Sequence, residues 1–247
     1  MTPTAPPPLP HPFQRLPRRL DRTEILDEDA AVSRDALARS LGAMATVNQF
    51  LGGTRSLHRH LRSLAKDSHL QTLSMLDVGV GNGAVPRALH RSLAREGVAL
   101  RWVGIDRSRA VLQVARERGG EAAVLLQANG LVLPFPNQSF DVVTSSLTLH
   151  HLSNAQVETF LTEAARVARR AVIMSDLERH PLNYLGARIL GITLWRRDPV
   201  TRYDGAVSVL RSFTHDELGA RARRAPLEPV RVHRHLPFRL VVVGRPE

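Results

Sequence analysis

Asp77 lies in an apolar run that opens directly into glycines, Leu76-Asp77-Val78-Gly79-Val80-Gly81-Asn82-Gly83, and Asp106 closes the next such run, Trp102-Val103-Gly104-Ile105-Asp106. Glycines at this spacing let the chain turn sharply and bring its backbone close to a ligand. A carboxylate beside them would repel a pyrophosphate, yet it favours a ligand with an ammonium or sulfonium charge. A carboxylate ending the second run can accept hydrogen bonds from both hydroxyls of a ribose. Read as Gly79-x-Gly81-x-x-Ala84, the same loop also fits a dinucleotide fingerprint, so the glycines alone leave a nicotinamide-type ligand open. Structural roles are open too: Asp77 could satisfy loop amides, and Asp106 could join Ser108 in capping a helix.

Such residues need a scaffold that brings strand ends side by side. Apolar runs at 73–78, 100–105, 122–127, 140–145 and 171–174 alternate with helical patterns at 85–95, 110–118 and 156–169. That rhythm predicts right-handed crossovers and a parallel sheet covered on both faces. Two late runs, 229–233 and 238–243, are joined by a link too short for a crossover and predict an antiparallel pair. The expected class is therefore α/β, a doubly wound sheet, mostly parallel with one antiparallel strand. Upstream, 27–67 reads as helical, broken at Gly52-Gly53, with a second helix over 56–65. The stretch 175–213 far exceeds an ordinary connection of ~2–6 residues. Its Leu182, Tyr184, Leu185, Ile189, Leu190 and Trp195 predict a helix buried on most sides, read as a lid over an acceptor pocket. The expected organisation is a Pro/Arg-rich disordered tail over 1–25, a helical cap over 26–70, and a main domain over 71–247 with the lid at about 177–212.

Composition narrows the chemistry. Among 247 residues there is no cysteine, which removes disulfides, thiolate metal sites and a cysteine nucleophile. No metal site is expected. The formal charge of +11 is almost all arginine, Lys66 being the only lysine, and no basic cluster is interleaved with aromatics as a single-strand groove requires. Nucleic acid is accordingly not the expected partner. No run reaches the ~18 apolar residues of a membrane span, and the N-terminal prolines at 3, 6, 7, 8, 10, 12 and 17 leave no room for a signal-type apolar core. A cytoplasmic protein without a transmembrane segment is expected, with a homodimer left open.

Three further segments carry a resemblance: Gln127-Ala128-Asn129-Gly130, Leu133-Pro134-Phe135-Pro136 and Ser139-Phe140-Asp141-Val142-Val143. With the glycine loop and Ile105-Asp106, they resemble small-molecule class I methyltransferases of the ubiquinone/menaquinone-biosynthesis type, over roughly 73–171. The resemblance implies a Rossmann-like seven-stranded fold and S-adenosylmethionine as cofactor. It implies that Asp77, Gly79, Gly81 and Gly83 line the methionine part and that Asp106 holds the ribose. Asn129 stands where the family commonly has an aspartate bonding the adenine amino group, and an amide oxygen can accept the same bond; Gly130 beside it is also expected to bind the cofactor. Ser145 would lie close to the bound methionine. Asn48 or Arg55, in a segment resembling the helix pair that covers the cofactor in relatives, could touch its carboxylate; a plain helix C-cap at Gly52-Gly53 is the other reading. Asp176–Arg179, Tyr184–Arg188 and Asp204–Val209 resemble a bacterial subset that often accompanies polyketide-type biosynthesis.

Methyl transfer to a phenol profits from a base, and His150, His151, Asp176 and His180 fall near the strand ends that face the ligand edge of such a sheet. His151 is the first candidate, followed by Asp176 and His150. The expected reaction is O- or C-methylation of a small apolar phenolic, quinone or polyketide-like acceptor. The rivals are an RNA methyltransferase, favoured by the charge, an NAD-dependent oxidoreductase, favoured by the ambiguous loop, and a cofactor-binding regulator without catalysis.

Overall fold

A computed structural model of the chain describes Leu9, Leu16, residues 19–21, Glu24, Ile25, 33–118 and 124–247. Two helices come first, α1 (Arg34–Phe50) and α2 (Gly53–Asp67). Ser33 caps α1 by accepting from the Ala36 N–H, and the chain turns between the helices at Gly52, whose φ is +81°. The first residues of the helix expected from 27 onward lie outside the described residues.

The alternating pattern becomes β1 (Thr72–Val78), α3 (Ala84–Ala94), β2 (Ala99–Asp106), α4 (Arg109–Glu117), β3 (Val124–Gln127) and β4 (Phe140–Ser146). It continues with α5 (Asn154–Val167), β5 (Ala168–Leu177), α6 (Pro181–Ile192), α7 (Pro199–Arg211), α8 (His215–Ala222), β6 (Leu227–His235) and β7 (Arg239–Pro246). The sheet order is β3-β2-β1-β4-β5-β7-β6. β7 runs antiparallel to both β5 and β6, and the other neighbours are parallel. This is the expected doubly wound sheet with a single antiparallel strand.

Strand alternation divides the core. On one face Leu76, Val143, Val172, Met174 and Val242 pack under α5 and α8. On the other, Met75, Val142, Ile173 and Val241 pack under α2 and α3. Side chains one residue apart therefore belong to different layers, which decides below who reaches the site.

The long insertion is two helices rather than one. Each opens with a first-turn proline, Pro181 and Pro199. The second, α7, is the buried one; around α6, Leu182, Ile189, Ile192 and Leu194 are exposed. No helix among the described residues is long and apolar enough to cross a membrane.

The segment expected to be a disordered tail needs correction where it is described. Leu9, Leu16 and Leu20 pack against the cluster formed by Tyr184, Ala206 and Leu210. Glu24 is buried, and the Leu20 and Ile25 N–H groups donate to Leu210 O and Asp204 Oδ1. Proline density spoke for extended backbone, but leucines spaced along it find an apolar groove on α6 and α7, and apolar burial outweighs composition.

Candidate active site

Where β1, β2 and β4 end, the chain leaves a cleft of about 610 Å³, a volume typical of small-molecule sites. Asp77, Gly79, Gly81, Asp106, Asn129 and Gly130 all line it. Gly79 has φ +74°, and a Cβ there would meet the Thr148 hydroxyl at 2.4 Å. At Gly81, φ is +55° and nothing lies within 4 Å of an added Cβ, so its backbone faces open space. Both positions require glycine, one for contact and one for conformation.

Asp77 is buried, Asp106 is half-buried, and the two lie on adjacent strands. Burial pushes Asp77 up to about 7; the Thr144 hydroxyl, donating to Oδ1 at 2.8 Å, opposes this, and the Asp106 charge adds to it. Burial also raises Asp106, against the Ser108 and Gly81 N–H groups, which donate to it at 3.0 and 3.1 Å. Two acids held above their ordinary range beside one cleft favour a cationic ligand, which would stabilise both ionised forms. Asn129 Oδ1 already accepts from Leu131 N–H at 3.0 Å, which leaves one lone pair for a ligand.

Two of the expected cofactor contacts do not line the cleft, Ser145 because of strand alternation and Gly83 because it caps a helix. Ser145 is buried on the α5 side and donates to Val78 O at 2.6 Å; its neighbour Ser146 lines the cleft instead. Gly83 initiates α3 with φ +71° beside the Arg87 guanidinium, and does not line the cleft. Asn48 is buried and lines the cleft, with Nδ2 donating to Ser146 Oγ at 3.3 Å, whereas exposed Arg55 does not line it.

Of the three expected catalytic residues, only His151 reaches the cleft wall. His150 and Asp176 are buried behind it as an ion pair, Nδ1 to Oδ1 at 2.7 Å, and Asp176 also accepts from the His150 N–H at 2.9 Å. A single turn over Leu149–His151 points the two adjacent histidines apart in role while their rings stay 4.2 Å apart. His180 caps α6 and stacks on Phe238 at 4.8 Å.

Glu24 completes the arrangement. Its carboxylate lies 3.4 Å from His150 Nε2 and 4.0 Å from His151 Nε2, and accepts from Ser208 Oγ at 2.8 Å. Two arginines hold the histidine turn by its carbonyls: Arg19 Nη2 donates to His150 O at 2.9 Å, and Arg211 donates to His150 O at 3.0 Å and His151 O at 2.8 Å. Glu24 and Arg19 escaped the sequence reading, because an acid in a proline-rich stretch carries no periodic signal of burial.

Glu24, His150 and His151 offer ligand atoms within 4.8 Å of one another, the arrangement a divalent ion could use. The ion pairing argues against that use. Burial disfavours the His150 cation, but Asp176 and then Glu24 outweigh it and hold His150 up at about 10. An imidazolium has no lone pair to give a metal. Burial likewise opposes the charges on Asp176 and Glu24, and the histidines beside them win, holding both below their ordinary range.

The linkage gives a stability prediction. His150's share is complete below its unfolded value near 6.5 and is lost as pH rises through about 10. The shares of Asp176 and Glu24 are present above the unfolded carboxylate range and lost as pH falls below it. Asp176→Asn strips the buried imidazolium of its nearest partner and is expected to cost about 3–5 kcal/mol at pH 6 in denaturant unfolding. The cost should shrink toward pH 10; a variant as stable as wild type at pH 6 would rule the pair out as a stabilising element.

Residues 76–174 match the methyltransferase domain family. Over 96 residues the chain is 38% identical to the demethylmenaquinone methyltransferase of Tropheryma whipplei (strain Twist), covering 38% of this chain and 37% of that protein. It is 32% identical over 100 residues to the uncharacterized methyltransferase YcgJ of Bacillus subtilis (strain 168), covering 39% and 36%. The chain thus aligns with little more than a third of these relatives' length. Among solved structures, a SAM dependent methyltransferase from Aquifex aeolicus superposes with a TM-score of 0.56 at 17% identity, covering 84% of this chain and 97% of that one. Human N-acetylserotonin methyltransferase in complex with SAM gives 0.59 at 14% identity, covering 87% and 56%. At these identities the likeness is one of fold. The matched segment is the part of the sheet that carries Asp77 and Asp106, so this part of the chain is similar in sequence to the methyltransferase domain family, and the chain shares the fold of S-adenosylmethionine-dependent methyltransferases.

Proposed function

We propose that this protein binds S-adenosylmethionine in the cleft and transfers its methyl group to a small, largely apolar hydroxyl-bearing acceptor of the phenolic, quinol or polyketide type, in the cytoplasm. The observation that carries the reading is the pair Asp77, buried, and Asp106, half-buried, on adjacent strands beside a glycine loop that admits a ligand. In this reading Asp77 answers the positive end of the cofactor, Asp106 accepts from the ribose hydroxyls, and Asn48 and Asn129 offer polar contacts at the cleft wall. A demethylmenaquinone methyltransferase among the relatives supports a quinone-type acceptor, and a solved structure described as an O-methyltransferase shares the fold.

When bound, S-adenosylmethionine supplies an electrophilic methyl on a sulfonium, already activated for in-line displacement. The chain's own work is alignment and proton removal. His151, at the cleft wall, would take the acceptor's hydroxyl proton. Glu24 balances the imidazolium charge, and Asp176 with His150 fixes Glu24 in place.

Asp77 gives the reading a pH signature. Its folded value near 7 means the free protein loses stability as pH rises from the unfolded value of 3.8 through about 7, because the folded state holds the proton longer. A ligand ammonium favours the ionised form, so binding expels that proton. Affinity for S-adenosylhomocysteine should therefore rise about tenfold from pH 6 to pH 8 and then level off. Calorimetric titration in buffers of different ionisation enthalpy checks both the affinity and the released proton; a flat profile with no proton release would remove Asp77 from the ligand contact.

A further inference from the structure

Arg239 is the largest side chain fully withdrawn from solvent, at 1% exposure, and its Nε and Nη1 have no hydrogen-bond partner among the described residues. A buried guanidinium normally carries a carboxylate or several carbonyls on its five donors. Here Asp176 is the acid whose charge reaches it, and that carboxylate is committed elsewhere, to the His150 N–H and ring and to the Leu177 N–H. Strand alternation also sets them apart: Arg239 pairs with Leu177, while Asp176 pairs with Leu240 on the opposite face. The ring clusters nearby add no anion, since β6 places His235 opposite Arg239.

The position is as informative as the missing partner. Arg239 opens β7, which runs antiparallel, so it stands at the same sheet edge as the ends of β4 and β5. Ser146 at the end of β4 lines the cleft and pairs with Ser175, which in turn pairs with Val241. Val241 is thus two strand spacings from the cleft wall, ~10 Å, and Arg239 lies two residues further along β7, outside the residues that line the cleft. Leu177, beside Arg239, packs against Tyr184 and the cluster of α6 and α7, and Phe238, next in the chain, is stacked by His180. One unpaired cation set among aromatic and aliphatic groups matches the end of an aromatic acid.

We propose that Arg239 is the acceptor-binding residue that receives an anionic group, so that the acceptor is a hydroxyaromatic acid. Its acidic group lies about one or two rings from the oxygen that is methylated. This rests on the methyl-transfer reading above, and it narrows the acceptor class within it. The high arginine content then has a local consequence: an acidic acceptor is drawn to a protein of formal charge +11.

The test compares two ligands of one shape, 6-hydroxy-2-naphthoate and the neutral 2-naphthol, by calorimetry on the full chain with and without saturating S-adenosylhomocysteine. Wild type is expected to bind the acid at least tenfold more tightly. Arg239→Met is expected to erase that preference, with S-adenosylhomocysteine affinity unchanged and a Tm no lower than wild type; Arg239→Gln serves if the methionine variant does not fold. No preference for the acid in wild type, or an undiminished preference in the variants, overturns the proposal. Failure of wild type to bind S-adenosylhomocysteine would instead overturn the cofactor reading, and the acid preference measured without it remains separately readable.

Discussion

Asp106→Ala is expected to weaken S-adenosylhomocysteine binding by about 100-fold or more, while the protein stays folded. The carboxylate is half-buried at the tip of β2, where two backbone N–H groups already fix its orientation. Two ribose hydroxyls donating to an ionised acceptor are each worth about 1.5–3 kcal/mol, so their joint loss reaches that range. A purely structural role predicts a different result. Ser108 caps α4 on its own account, by accepting from Val111 N–H, and loss of the turn beneath it would cost about 1 kcal/mol of stability. Affinity would then change by less than tenfold. Calorimetry with a parallel unfolding curve separates the two roles.

The second large effect concerns the base. His151→Ala is expected to lower kcat by about 100- to 10,000-fold, the usual weight of a general base. Glu24→Gln should lower it by about 10- to 100-fold, since it removes a carboxylate charge 4.0 Å from His151 Nε2, worth about 1–4 kcal/mol toward the imidazolium. Glu24→Asp should recover part of that loss. Turnover of 2-naphthol or 6-hydroxy-2-naphthoate, read as S-adenosylhomocysteine release, measures it across pH. Cofactor affinity and acceptor KM should stay near wild type in all three, since Glu24 acts through His151. A Glu24→Gln protein with lowered Tm but wild-type kcat and pH profile would reduce Glu24 to a structural ion-pair partner. Dependence of wild-type turnover on a divalent ion, abolished by a chelator, would make Glu24 and the two histidines ligands instead.

The sheet was legible because its signals are local and repetitive. Runs such as 73–78 and 100–105 are apolar on both faces, as buried parallel strands must be, and the short link before Arg239 demanded an antiparallel return. Four of the cleft-lining residues were brought together for a related reason: Asp77, Gly79, Gly81 and Asp106 lie within one crossover, where spacing fixes geometry. Ser145 failed because it stands one residue from Ser146, and a period of two sends neighbours to opposite layers. The acceptor side was less legible. His150 and His151 are adjacent in sequence, yet one is sealed between two carboxylates and the other faces the cleft. That division is set by Glu24, Arg19 and Arg211, which arrive from distant parts of the chain. Arg239 gave no signal at all, since nothing in a strand-edge arginine announces that its partners are missing.

The central claim is that Asp77 and Asp106, at the ends of β1 and β2, seat S-adenosylmethionine. Titration of the wild-type protein with S-adenosylmethionine, S-adenosylhomocysteine and NAD tests it most directly. The account predicts micromolar-range binding of the first two, proton release on binding below pH 7, and no binding of NAD. Binding of NAD alone would contradict it and turn the glycine loop into a dinucleotide site.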